Sequence, residues 1–234
     1  MKPLRDCRLY TFFDVACLTE SDPEEFDPEE VARQLCDGGA DLVQLRAKGW
    51  ETDFIRCMAE LLLPITDKAG VWLVINDHPE IARDIGAPMV HLGQEDFFDA
   101  GYREATEVTS GKNVELPLLP QREEWEKRLR LGLSSHSPEQ AKRALRAGPD
   151  YIAIGPVFAT PTKPGRPAAT LDYVRWAAAN VSIPWFAIGG ITLENLDDVL
   201  AAGATRVCVV RAILNAPDIA KACRAFKDRL RSAP

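Results

Sequence analysis

Eight short apolar runs, alternating with segments that carry helix signals, constrain this chain more than any other feature. They are Leu9–Phe13, Asp41–Leu45, Val71–Ile75, Pro88–Leu92, Arg130–Ser134, Tyr151–Ile154, Pro184–Ile188 and Arg206–Val210. Each is too short for a core helix and rich in the residues of strands buried on both faces. Between them lie helix starts and stops. Asp27 reads as an N-cap with Pro28 at the first helical position, and Gly38-Gly39 as the stop. Thr52 opens a helix with Phe54, Ile55, Met58, Leu61 and Leu62 along one face, which Pro64 is expected to end or kink. Ser137-Pro138 opens another, closed by Gly148, and Pro217 to Arg231 reads as a last amphipathic helix. Eight strands alternating with helices predict α/β architecture, a single (β/α)8 TIM barrel, with a doubly wound open sheet as the alternative.

The 234 residues, 46% of them hydrophobic, suit one such domain with a sizeable core. No Pro/Ser/Gly-rich linker divides the chain, so residues 1–234 read as one unit. The 97–127 stretch resists assignment: Val114 to Pro120 is apolar and Pro-bounded, Arg122 to Lys127 is charged, and an ordered insertion is the expectation. No apolar run is long enough to span a membrane, and the N-terminus lacks an apolar leader, so a cytoplasmic protein without membrane contact is expected. With 28 basic against 35 acidic residues the net charge is −7, which argues against nucleic acid as a partner. An anionic ligand must then be held by locally placed cations. The six cysteines show no metal-ligand or redox spacing and read as buried thiols.

Polar residues gather just after seven of the eight strands. In a barrel these positions converge on one face, where the chemistry sits. Gln44, Arg46 and Lys48 alternate, so an extended backbone points them the same way, as an anion site or as a salt-bridged surface group. Asp77 and Asp96 follow neighbouring strands and suit Mg²⁺ bridging phosphate oxygens; helix capping is the other reading of Asp77. His91 and His136 are open between catalytic and hydrogen-bonded roles. Tyr151–Ile154 feeds a loop with Thr160, Thr162 and Lys163. Gly189-Gly190 and Val210-Arg211 fit the usual barrel phosphate site of backbone N–H groups and a helix N-terminus. Two phosphorylated ligands are the expectation. No P-loop or dinucleotide fingerprint is present.

In order along the chain, Val43-Gln44-Leu45-Arg46-Ala47-Lys48, Ile75-Asn76-Asp77, His91-Leu92-Gly93-Gln94-Glu95-Asp96, Gly132-Leu133-Ser134-Ser135-His136, the segment 150–165, Ala187-Ile188-Gly189-Gly190-Ile191 and Val209-Val210-Arg211-Ala212-Ile213 resemble the thiamine-phosphate synthase family. The resemblance implies a (β/α)8 barrel that condenses 4-amino-2-methyl-5-(diphosphooxymethyl)pyrimidine with thiazole phosphate, releasing pyrophosphate, with Mg²⁺ as cofactor. By the same resemblance Gln44, Arg46, Lys48, Asn76, Ser134 and Lys163 hold the pyrimidine diphosphate. Asp77 and Asp96 bind the metal, and Thr160, Thr162, Gly190, Val210 and Arg211 surround the thiazole phosphate. Arg46, Lys48 and Lys163 would stabilise the departing pyrophosphate, and Ser134 is counted with them as catalytic. A pyrimidine carbocation, captured by the thiazole nitrogen, needs no protein nucleophile, and Pro161 to Pro167 is the expected lid.

The chain departs from the family pattern at Arg211, often Ser, at His78, often Arg, in a short segment after Lys163, and in the length of 97–127. A thiazole tautomerase, with His136 as acid/base, and a non-catalytic thiamine-precursor binding protein are the competing readings. The intact Gln94-Glu95-Asp96 and Thr160-Pro161-Thr162-Lys163 motifs favour the synthase. The sequence leaves the oligomeric state open, a homo-oligomer included.

Overall fold

A computed structural model describes residues 1–20, 27–110, 128–159 and 170–232. Eight parallel strands follow one another around a closed barrel in sequence order. They are β1 (Leu9–Asp14), β2 (Leu42–Arg46), β3 (Trp72–Asn76), β4 (Met89–Leu92), β5 (Arg130–Ser135), β6 (Tyr151–Ile154), β7 (Trp185–Ile188) and β8 (Val207–Val209). The open-sheet alternative fails at the last ladder, where Leu9, Tyr10 and Thr11 of β1 pair with Val207, Cys208 and Val209 of β8. The expected strands stand within two residues of their observed bounds, because continuous apolar runs are what a strand covered on both faces requires.

The described helices are α1 (Val15–Leu18), α2 (Pro28–Asp37), α3 (Thr52–Ala69), α4 (Pro79–Ile85), α5 (Gln94–Asp99), α6 (Ala105–Thr109), α7 (Pro138–Arg146), α8 (Thr170–Asn180), α9 (Leu196–Ala201), α10 (Arg211–Leu214) and α11 (Ile219–Ser232). The expected caps are present: the Asp27 carboxylate accepts from the Glu29 and Glu30 N–H groups, and Ser137 from that of Gln140. Pro64 does not end its helix, which runs from Thr52 to Ala69. Pro64 and Glu60, the residue whose carbonyl loses its donor, are both exposed, so water can replace the missing bond. Buried Ile55, Ala59, Leu62 and Thr66 seat both halves on the barrel. The part of the 97–127 stretch that is described folds as the end of α5 and as α6; Val114 to Pro120 and Arg122 to Lys127 lie outside the described residues. No described helix is long and apolar enough to cross a membrane.

The lower end of the barrel is plugged. The Trp72 indole donates to the Lys2 carbonyl at 2.9 Å, and the Arg130 guanidinium lies 4.6 Å from the centre of its ring. Beside this plug the buried Asp41 carboxylate accepts from the backbone N–H groups of Arg8 at 2.7 Å and Leu9 at 2.9 Å, from Lys2 at 2.5 Å, and from Lys227. Burial alone would raise this carboxyl, but the Leu9 N–H, the two ammonium groups and the Arg8 N–H outweigh it and hold it below the usual range. Burial pulls Lys227 down against the attraction of Asp41. A depressed folded-state pKa contributes stability in full above about pH 4 and loses it as the pH falls through the folded value. Asp41→Asn is expected to cost about 3 kcal/mol at neutral pH, since it strands Lys227 in the interior. Urea unfolding at pH 7 and pH 3 checks this: the wild type and variant should converge at the acid end.

Candidate active site

At the upper, C-terminal end of the strands lies a cavity of about 390 Å³. Gln44, Arg46, His91, Ser134, Gly190 and Arg211 are among the described residues that line it. Five strands or their following loops thus supply its polar wall, as strand-end positions in a barrel must.

Gln44 and Arg46 both face this cavity, two apart on β2, whereas Lys48 sits in the exposed turn beyond it. The alternation therefore holds to the end of the strand and no further. Lys48 still belongs to the site electrically, because its charge reaches Asp77. Arg46 is salt-bridged, but not at the surface: its Nη1 donates at 2.7 Å to the Asp14 carboxylate, and the side chains are 16% and 4% exposed. The other Asp14 oxygen accepts from the Cys17 N–H at 3.2 Å and caps α1. Asp14 thus ends β1 with a polar group as well, completing all eight strands.

The Asp77 carboxylate does not cap a helix. His78 holds the N-cap position of α4, with no side-chain cap bond, and Asp77 instead accepts from the Asn76 amide at 2.7 Å. Its backbone lies in the left-handed region at φ 64°, tied by its N–H to the His91 carbonyl at 3.0 Å. A non-glycine residue held there is strained, and such strain gathers at functional sites. Asp96 occupies the first turn of α5 and folds back over Gly93, where a Cβ would come within 2.3 Å of its Oδ2. Burial, and next the negative charge of Asp96, raise the Asp77 carboxyl above its usual range. Two carboxylates in electrostatic contact beside a cationic turn form an oxygen donor set that suits Mg²⁺ completing its shell with phosphate and water. Among the described residues no group of three or more His, Cys, Asp or Glu is arranged to hold a metal by itself.

The floor is a buried chain of polar groups. The Gln44 amide donates to Tyr10 Oη, which lies 3.1 Å from Tyr151 Oη; this in turn lies 3.0 Å from His91 Nδ1. His91 Nε2 is 3.4 Å from Ser134 Oγ. Burial pushes both tyrosine hydroxyls up, so they remain neutral hydrogen-bonding groups. Gly132 makes room for this chain: a Cβ there would fall 2.1 Å from the Tyr151 ring. His91 is thereby a member of a barrel network, and His136 Nδ1 bonds the Gly155 carbonyl.

The opposite wall is mostly backbone. The Val157 and Phe158 N–H groups donate to the Ile188 and Gly189 carbonyls at 2.8 and 3.0 Å, which lashes the loop after β6 to the loop after β7. Close approach and positive φ demand glycine here: Gly189 is at 105° and Gly190 at 64°, and a Cβ on Gly190 would lie 2.8 Å from the Ala159 carbonyl. The first turn of α10 adds the N–H groups of Arg211 and Ala212, beside Val210. The Arg211 guanidinium is paired end-on with Glu20, at 2.8 and 2.6 Å. Thr160, Thr162 and Lys163 lie outside the described residues, which resume at Thr170; Ala159, the last before them, lines the cavity.

Sequence reasoning missed Asp14, Glu20, Tyr10 and Tyr151. Asp14 carried a signal, a carboxylate at a strand end, while the tyrosines read as ordinary apolar strand residues.

The sequence profile of the family described as Thiamine monophosphate synthase matches residues 15–213. A thiamine-phosphate synthase of Thermus thermophilus is 48% identical over 194 residues, 82% of this chain and 84% of that protein. One from Acidothermus cellulolyticus is 40% identical over 232 residues, 98% of each chain. Among solved structures, a thiamine phosphate pyrophosphorylase from Pyrococcus furiosus superposes with a TM-score of 0.76 at 25% identity, over 97% of this chain and 96% of that one.

Proposed function

The chain belongs to the thiamine-phosphate synthase family, and on that premise we propose how its residues divide the work of the reaction. The enzyme is a transferase that condenses 4-amino-2-methyl-5-(diphosphooxymethyl)pyrimidine with thiazole phosphate. The carbon–oxygen bond to the diphosphate breaks, its electrons leave with pyrophosphate, and the thiazole nitrogen supplies the pair for the new bond to carbon. The observation that carries the assignment is one cavity with two unlike anion-holding walls. On one side stands Arg46, with the Asp77–Asp96 pair beyond the lining, after β3 and β4; on the other stand the Gly189-Gly190 turn and the start of α10.

Gln44, Ser134 and the floor chain orient the pyrimidine. With its nitrogen turned to Tyr10, the Gln44 amide offers its oxygen to the exocyclic amine. Arg46, Lys48, Asn76 and Lys163 bind the diphosphate, and the cations stabilise charge that grows as it leaves, which is where binding energy accelerates a reaction. Asp77 and Asp96 would hold Mg²⁺, which when bound supplies further positive charge to the phosphate oxygens. Thr160, Thr162, Gly190, Val210 and Arg211 hold the thiazole phosphate. The apolar part of the wall, Phe12 and Ile188 among it, keeps water from the carbocation.

Asp14 acts through Arg46. Asparagine at this position keeps an oxygen for the Cys17 N–H, so Asp14→Asn preserves the cap while removing the charge that holds the guanidinium. We expect kcat/KM for the pyrimidine diphosphate to fall about tenfold to a hundredfold, with a smaller change in KM for thiazole phosphate, by steady-state kinetics.

The reading as a whole is tested with purified protein and both precursors. Thiamine phosphate and pyrophosphate should form with Mg²⁺ and cease on adding EDTA. Isomerisation of a thiazole carboxylate without condensation would favour the tautomerase and His136; binding without either reaction would favour the non-catalytic binding protein.

A further inference from the structure

Arg211 lines the cavity at the first turn of α10, yet its two terminal nitrogens are already taken by a carboxylate. Glu20 presents its oxygens to Nη1 and Nη2 side by side, the geometry a phosphate would adopt on the same edge. The pair is half in water, with Arg211 31% and Glu20 50% exposed, and an exposed ion pair is weakly held. It also leaves a deficit. The Arg211 Nε is shielded from solvent and has no hydrogen-bond partner among the described residues. A buried, unpaired donor on a charged group is costly, so this pose is not one the arginine would keep once a stronger anion reaches it. Glu20 follows α1 by two residues, and α1 is fastened to the chain just after α10: the Cys17 thiol donates to Asn215 Oδ1 at 3.1 Å. Asp14 also holds Cys17, through its N–H.

We propose that Glu20 is an internal counter-ion that parks Arg211 at the cavity wall and is displaced by the phosphate of the incoming substrate, so that Glu20 sets how strongly the β7–β8 cradle accepts phosphate anions. This rests on the assignment of that cradle to the thiazole phosphate. Glu20 is a positioning residue in this scheme: it touches no substrate, and it acts only through Arg211. A doubly charged phosphate, aided by the cradle's N–H groups, can outcompete the carboxylate; a weaker anion is held off. The cradle is thereby kept from filling with whatever small anion is present.

The test is a four-protein cycle: wild type, Glu20→Gln, Arg211→Ser and the double variant. Isothermal titration with inorganic phosphate and, separately, with thiazole phosphate gives each dissociation constant, and thermal melts confirm that all four fold. Glu20→Gln should tighten inorganic phosphate binding about three- to tenfold, the amount by which a competing half-exposed ion pair is worth displacing. Arg211→Ser should weaken binding, and in its background Glu20→Gln should change nothing. The proposal is overturned if Glu20→Gln weakens binding, since Glu20 then orients Arg211 for the ligand. It is equally overturned if the tightening persists without Arg211, or if none of the four binds phosphate. A wild type that binds inorganic phosphate but not thiazole phosphate would sink the substrate assignment alone, while the phosphate cycle still decides the role of Glu20.

Discussion

Asp77→Asn is expected to lower kcat/KM by about a thousandfold while leaving the melting temperature unchanged or raised. The two halves of this result have separate causes. Asparagine has the size of aspartate and can still accept from the Asn76 amide, but it carries no charge for a divalent cation. The loss thus falls on the step in which pyrophosphate departs. Stability does not follow, because Asp77 and Asp96 repel each other in the free protein, and asparagine tolerates the left-handed backbone at φ 64° well. Asp96→Asn should show the same loss of activity without the tolerance argument. Steady-state rates across a Mg²⁺ titration, beside thermal melts, make the measurement. An Asp77→Asn enzyme within tenfold of wild type at saturating Mg²⁺ would remove the carboxylate pair from the mechanism.

Gly190→Val should act on the other substrate. A β-branched residue at φ 64° is strained by about 1–3 kcal/mol, and its side chain would press on the Ala159 carbonyl and the Phe158 Cβ, both 2.8 Å from the new Cβ. The turn after β7 must then shift, and the backbone N–H groups of the cradle with it. The KM for thiazole phosphate is expected to rise about thirtyfold, the effect of losing roughly 2 kcal/mol of phosphate contacts. The KM for the pyrimidine diphosphate, which we assign to the opposite wall, should change far less. Equal rises for both substrates would mean that the variant distorts the whole mouth and that the two walls are not separate sites.

Much of this site was legible in the chain, for a definite reason. A strand buried on both faces must be apolar along its length, so the polar group that ends it stands out. Gln44, Arg46, Asn76, Asp77 and Ser134 were picked out that way, and barrel closure brings Gln44, Arg46 and Ser134 to one cavity. Legibility fails where one residue's role depends on a distant partner. Arg46 and Lys48 looked equivalent, yet one is locked to buried Asp14 and the other is exposed beyond the strand. Asp77 allowed a capping reading until His78 proved to hold that position. Tyr10 and Tyr151 looked like packing residues, and only the barrel interior reveals their hydroxyls as the link between Gln44 and His91.

The amino-acid order by itself determined the barrel, its strand positions and the identity of most polar groups at its mouth. Those properties are local: they come from apolar runs, caps and glycines acting over a few residues. The tertiary structure alone decided which charges are already neutralised. Asp14 on Arg46 and Glu20 on Arg211 bring together residues 32 and 191 positions apart. Pairing across such separations follows from how the closed sheet packs its loops, and no local pattern encodes it.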